Sequence, residues 1–219
     1  MVRLRFAPSP TGFLHVGGLR TALFCWLYAR QQSGKFIFRL EDTDQKRLVE
    51  GAEKDLIHML EWAGIELDEG PGIGGEFGPY RQSERLEIYR QHVQKLLDED
   101  YVYPCFCSSE RLDNLRDEQR ANGETPRYDG LCRRLKKEDT AQRVVSGETH
   151  VVRMKIPEIP ETIVLNDLIR GRVSIESSQT EDQVIVKSDG FPTYHLAVVV
   201  DDHLMQITHV VRGEEWLPS

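Results

Sequence analysis

The sequence predicts an α/β protein, a parallel-sheet domain interrupted by an α+β insertion. Three observations carry this. An apolar strand at 3–7, an apolar-faced helix at 19–31 and a second apolar strand at 36–40 follow one another as in a βαβ unit. The link from first strand to helix is a Pro/Ser/Thr/Gly turn running into His15-Val16-Gly17-Gly18. After a long stretch of different character, apolar runs return at Tyr194–Val200 and Ile207–Val211.

Bulk properties bound the problem. The 219 residues hold one large or two small domains, and 39% hydrophobic with 29% charged residues describes an ordinary globular chain. No apolar run reaches the ~18 residues of a membrane span. Met1-Val2-Arg3-Leu4-Arg5 enters a strand directly instead of forming a secretory leader. Four cysteines, two of them in Cys105-Phe106-Cys107, do not make a secreted disulfide framework; they fit a reducing compartment and a thiol or metal role. The net charge of −8 argues against a uniformly basic nucleic-acid binder, yet Glu110–Lys137 carries eight basic against six acidic residues. A solvated helix face is the preferred account of that run.

Element by element, Leu19, Ala22, Leu23, Trp26 and Leu27 share one face of the first helix, and Gly34 ends it. Glu41-Asp42-Thr43-Asp44 places three carboxylates at the end of the second strand. They require a cation, a donor network or a helix to cap, and a helix from Gln45 to Trp62 offers the last. The glycine-rich stretch 66–79 is a loop and domain boundary. Ser83 then caps a helix bearing Leu86, Tyr89, Val93, Leu96 and Leu97. A strand near Tyr101–Cys107, helices at Ser109–Asn122 and Lys137–Ser146 and a strand at Val151–Lys155 follow. A hairpin turning at Arg170-Gly171-Arg172 and a strand at Gln183–Lys187 complete the α+β part. Ile207–Val211 is expected to be one more buried strand. The domains are therefore 1–79, 80–190 as an insertion, and 191–219.

The turn and helix start at residues 8–18 have the composition of a phosphate site: glycines admit a close backbone approach, the helix N-terminus presents unpaired N–H groups, and His15 adds a side-chain donor. The pattern is neither a P-loop nor G-x-G-x-x-G; a tight turn without a ligand is the alternative. Arg5 and Arg212, both at expected strand ends, are forks suited to carboxylates, although each alone is also an ordinary salt-bridge partner.

Pro8-Ser9-Pro10-Thr11-Gly12, His15-Val16-Gly17-Gly18 and Arg20-Thr21-Ala22 together resemble the HIGH signature of class I aminoacyl-tRNA synthetases, in the form found in glutamyl-tRNA synthetases. The resemblance implies a Rossmann-like nucleotide-binding domain whose insertion holds the tRNA acceptor end. It implies ATP-dependent activation of L-glutamate to glutamyl-adenylate and transfer to the 3′ end of tRNA(Glu). ATP is then a substrate accompanied by Mg2+, and the protein is a monomer with no membrane partner. It also implies roles: His15, Gly17 and Gly18 in catalysis and ATP binding, and Glu215 and Trp216 at the ribose and adenine. Arg5, Phe6, Ala7, Ser9, Glu41, Tyr194, Val198 and Arg212 line the glutamate pocket, with Glu41 reading the amino group. Some relatives carry Asn at the Val198 position, which leaves Val198 its backbone.

Cys105-x-Cys107 and Cys132 resemble the family's zinc knuckle, but Arg134 occupies the position of its histidine. Tyr128 offers a fourth ligand, as in a short paralogue; three thiols around a former metal site is the preferred account. The family's KMSKS segment does not occur in the sequence, so the chain resembles the N-terminal catalytic portion, expected to fold and to bind glutamate or ATP weakly. Two rivals stand beside this. One is the paralogue that glutamylates queuosine in tRNA(Asp), against which Glu41-Asp42-Thr43-Asp44 and the complete Arg-Thr-Ala-Leu count; the other is a non-catalytic tRNA-binding module. The compartments implied are the mitochondrial matrix or the bacterial cytoplasm.

Overall fold

In the computed structural model, which describes residues 1–213, β1 (Arg3–Phe6) and β2 (Lys35–Phe38) pair in parallel. Arg3 lies opposite Lys35 and Phe6 opposite Phe38, and α1 (Val16–Gln31) makes the crossover that a parallel pair requires. Alternation along β1 sends Leu4 and Phe6 into a core with Ala22, Cys25, Ala29, Phe36, Phe38, Leu56 and Leu60. Arg3 and Arg5 take the other face, where carboxylates meet them.

The buried face of α1 keeps Ala22, with Leu19 and Trp26 partly buried, but not Leu23 and Leu27. Ala22, Cys25 and Ala29 are fully buried, while Leu23, Phe24 and Leu27 are 39, 56 and 48% exposed. Small side chains at i, i+3 and i+7 let the helix lie close on the sheet, and the bulkier neighbours are turned outward.

The acidic stretch after β2 also corrects the expectation. α2 (Ala52–Trp62) starts later than Gln45, behind Gly51 in the left-handed region at φ 82°, and Asp44 faces Arg47 at 3.8 Å instead of capping the helix. Asp42 does act as a cap, but for a turn forty residues away. Its carboxylate accepts from Ser83 N (2.8 Å) and Ser83 Oγ (2.6 Å) in the 3-10 turn Gln82–Arg85 that leads into α3 (Leu86–Asp98). Ser83 is thus a donor to a cap and not a cap itself.

Residues 66–79 do more than connect. Phe38 N donates to Glu69 O and Asp68 N to Phe36 O, both at 2.9 Å, so this segment lines the edge of β2. Glu69 is held by both terminal nitrogens of Arg3 (2.7 and 2.9 Å) and by the Tyr80 hydroxyl at 2.5 Å. Burial alone would push its pKa up, but these donors hold it below the usual carboxylate range.

The chain separates into two compact units, residues 1–91 with the stretch from 191 onward, and residues 92–190. The first junction lies inside α3, past the glycine-rich loop, because Gln82, Arg85 and Tyr89 all hydrogen-bond to Asp201 and so belong with the first unit.

In the second unit, β3 (Val102–Cys105) is followed by α4 (Ser109–Ala121), capped by Ser108 Oγ, and by α5 (Lys137–Val145). β3, β4 (Val151–Met154) and β7 (Val184–Val186) form an antiparallel sheet in that order, with a register shift between β4 and β7. β5 (Thr162–Asp167) and β6 (Gly171–Glu176) form a separate hairpin. Its turn is 168–170 instead of 170–172, because Asp167 Oδ1 accepts from Ile169 N and Arg170 N, each at 2.8 Å. In the basic run, Arg111, Arg116, Arg120, Arg133 and Lys137 are paired with Asp129, Asp113, Asp117, Asp182 and Asp100. Its charge is mostly answered locally.

Chain return to the first unit is through α6 (Tyr194–Leu204). The strand expected at Ile207–Val211 does not form among the described residues. Arg3 N donates to the Thr208 hydroxyl (2.8 Å), and Thr208 N and His209 N both converge on Arg3 O (2.9 and 3.3 Å). A side-chain oxygen takes the place of a ladder carbonyl, and regular pairing stops there. Among the described residues no helix is long and apolar enough to cross a membrane.

Candidate active site

The carboxyl ends of β1 and β2 carry the candidate site, as expected of a parallel sheet. Two groups of residues are assembled there, both within the first unit.

The first is the start of α1. His15 is the N-cap, with extended backbone, and its Nδ1 accepts from Gly17 N at 3.1 Å. In the neutral ring that hydrogen bond places the proton on Nε2, so His15 caps the helix with one nitrogen and offers a donor with the other. Gly17 is required by this arrangement: a Cβ there would lie 2.8 Å from His15 Cε1. The first turn contains no acidic residue, so the positive end of the helix dipole is not neutralised by its own side chains.

The second group is a charge cluster. Arg5 Nε contacts both oxygens of Asp202, at 3.0 and 3.2 Å. Arg39, one residue beyond β2 and completely buried, donates to Asp202 Oδ1 at 2.6 Å and to Glu41 Oε1 at 3.2 Å. Asp201, equally buried, accepts from Gln82 (2.9 Å), Arg85 (2.7 Å) and Tyr89 (2.8 Å). The Arg212 guanidinium sits 5.1 Å from the centre of the Tyr194 ring. Burial pushes the Tyr194 hydroxyl up, with Arg212 and Arg5 pulling it down and Glu41 and Asp202 adding to the rise. Burial likewise raises the Glu41 carboxyl, against the pull of Arg39 and Arg5. Burial and Arg212 both lower His195, which favours its neutral ring.

Of the residues singled out from the sequence, Arg5, Glu41, Tyr194 and Arg212 are brought together here, and His15, Gly17 and Gly18 together at the α1 start. Val198 lies one turn after Tyr194 on α6 and is half-buried. Phe6 turns its ring into the core, 6.2 Å from Phe38; its carbonyl accepts from Arg39 N at 3.0 Å. Ala7 is half-buried and Ser9 exposed on the following turn. Glu215 and Trp216 lie outside the described residues.

Sequence reasoning passed over Arg39, Asp201 and Asp202. A signal was present: Arg39 falls inside the apolar run 36–40, and Asp201-Asp202 closes the apolar run of α6. A charge in such a run needs a buried partner, and here each supplies the other's.

In the second unit the sulfurs of Cys105, Cys107 and Cys132 all lie within 4.8 Å of one another, Cys107 and Cys132 at 3.6 Å. The Tyr128 hydroxyl is 3.4 Å from Cys105 Sγ and 3.6 Å from Cys107 Sγ. Tetrahedral zinc with bonds of about 2.3 Å sets its thiolates about 3.8 Å apart, so these four residues fit such an ion. Arg134 turns to the Asp129 carbonyl at 3.2 Å. The same groups also satisfy one another: Cys132 N donates to the Tyr128 hydroxyl at 2.9 Å, and Arg111 reaches Cys107 Sγ at 3.5 Å.

Comparison with known proteins adds identity to this geometry. The model of the family described as tRNA synthetases class I (E and Q), catalytic domain, matches residues 1–219. A glutamate–tRNA ligase of Alkaliphilus metalliredigens is 55% identical over all of this chain and 45% of its own length. One of Finegoldia magna is 53% identical over all of this chain and 46% of its own. The crystal structure of a glutamate tRNA ligase from Elizabethkingia meningosepticum in complex with its amino acid superposes with a TM-score of 0.93 at 46% identity, covering 99% of this chain and 44% of that one. The chain spans about half the length of the curated relatives it matches.

Proposed function

The chain belongs to the class I (E and Q) tRNA synthetase catalytic-domain family, and from that premise we propose that it forms glutamyl-adenylate from L-glutamate and ATP for transfer to the 3′ end of tRNA(Glu). The glutamate carboxylate attacks the α-phosphorus and pyrophosphate departs; Mg2+, when bound with ATP, offsets the phosphate charge. The protein's part is to hold two anions in line and to stabilise charge on the pentavalent phosphorus. His15 Nε2–H and the backbone at Gly17 and Gly18 act on the phosphates. Arg5 and Arg212 take the carboxylates, Glu41 the amino group, and Tyr194 lies among them. The observation that carries this is the joining of Arg5 and Glu41 through Asp202 and Arg39, with the Arg212 guanidinium over the ring of Tyr194 on the same helix as Asp202.

Arg212→Ala tests the assignment. In ATP–pyrophosphate exchange, with the chain extended to the length of its relatives, the glutamate requirement is expected to rise about tenfold or more, as for a lost charge-assisted contact. The ATP requirement should change little. An equal loss for both substrates would make Arg212 a structural residue.

Residues 1–79 and 191–219 are proposed to carry activation, and 80–190 to receive the acceptor end of the tRNA. The site draws on one chain, which supports a monomer. The relatives' bacterial sources support bacterial cytoplasm over mitochondrial matrix. The cysteine cluster is proposed to stand without metal, since its own hydrogen bonds close it. Elemental analysis of the purified protein is expected to find zinc well below one equivalent, and a full equivalent would assign Cys105, Cys107, Tyr128 and Cys132 as its structural ligands.

A further inference from the structure

We propose that Arg39 is a positioning residue for recognition of the amino acid: buried beneath the site, it fixes Glu41 directly and Arg5 through Asp202. The inference rests on the glutamate pocket proposed above. Arg39 is completely buried, so it is placed to act through its neighbours and not on a ligand. One terminal nitrogen donates to Asp202 Oδ1 at 2.6 Å and the other to Glu41 Oε1 at 3.2 Å. Asp202 Oδ1 is shared, since Arg5 Nε also lies 3.0 Å from it. Among the described residues the Arg5 hydrogen bonds all leave from Nε, so Asp202 sets the plane of the Arg5 fork. Arg39 Nε is buried without a hydrogen bond among the described residues, 3.8 Å from Asp201 Oδ2.

The charges that face Glu41 are Arg39, Arg5 and Asp202. Tyr194 completes its surroundings, with a hydroxyl that responds to Glu41. Burial pushes Glu41 toward its neutral form, and Arg39 is the cation that opposes this most strongly. A neutral Glu41 cannot answer an ammonium group with full charge. Arg39 therefore controls how well the pocket separates an amino acid from the same dicarboxylate without its amino group.

The test compares L-glutamate with glutarate, using ligand-observed NMR titration of the 219-residue chain, a method suited to weak binding. The unmodified chain is expected to prefer L-glutamate. Arg39→Met should lower that preference about tenfold or more, and the preference should recover as the pH is raised and Glu41 ionises. Arg39→Lys, which restores a cation, should fall between the two. Asp202→Asn alters a partly exposed group and keeps Arg39 on Glu41. It should weaken both ligands equally through Arg5 and leave the preference intact.

Equal weakening of both ligands by Arg39→Met, with no recovery at higher pH, would overturn the proposal. If Arg39→Met does not fold, a lost preference in Asp202→Asn, or no effect of that change on either ligand, would overturn it instead. No preference in the unmodified chain would remove the proposed glutamate pocket itself, and the role of Arg39 with it.

Discussion

His15→Asn is expected to slow glutamate activation by about 10²–10³-fold, the cost of removing one donor from a site that stabilises developing charge. Glutamate binding should be nearly unchanged. Asparagine is a good helix N-cap, and its side-chain oxygen can accept from Gly17 N as His15 Nδ1 does at 3.1 Å. The helix start is preserved and the Nε2 donor is lost. A group that meets charge only in the transition state contributes to kcat and not to substrate affinity. ATP–pyrophosphate exchange in the chain extended to the length of its relatives, with glutamate and then ATP varied, reads both quantities. An unchanged rate would remove His15 from the chemistry and leave it as a cap.

Asp201→Ala is expected to lower the folding stability by about 3–5 kcal/mol, the typical cost of stripping one partner from a buried ion pair. That is a large part of the ~5–15 kcal/mol a domain possesses. Asp201 is fully buried and answers Gln82, Arg85 and Tyr89 at 2.7–2.9 Å. Without it Arg85 stays buried with, among the described residues, the Phe77 and Pro79 carbonyls at 3.2 and 2.9 Å. Burial and Asp201 hold the Tyr89 hydroxyl far above its ordinary titration range, so Tyr89 remains a donor in search of an acceptor. Urea unfolding measures the loss. Asp201→Asn, which keeps an acceptor but not the charge, should lose less. A loss below about 1 kcal/mol for Asp201→Ala would mean that the network is not what joins α6 to the start of α3.

Much of this was open to reading in the linear chain. Period-2 and period-3.6 patterns placed β1, α1, β2, α3, α4 and the β5–β6 hairpin within a few residues. The turn composition and His15-Val16-Gly17-Gly18 placed the start of α1, where His15 is the N-cap. Other assignments went astray where one residue type serves several ends. Leucine and alanine are both apolar, so periodicity put Ala22 on the buried face but could not say that Cys25 and Ala29 would join it and that Leu23 and Leu27 would be exposed. Asp42 has the chemistry of a cap, but nothing local says that the amide it caps is Ser83 N. Ile207–Val211 has the composition of a strand, yet the Thr208 hydroxyl takes the ladder position beside Arg3.

What the sequence determined by itself is the order of elements and the turn with its His15-capped helix start, because both depend on spacing within one short segment. What only the tertiary structure decided is the pairing of charges: Arg39 with Glu41 and Asp202, Arg5 with Asp202, Asp201 with Arg85. Most of these partners lie more than a hundred residues apart. An apolar run can say that a charge within it needs a buried partner, but not which one, because the cost of burying it is offset only when the fold brings its counter-charge alongside.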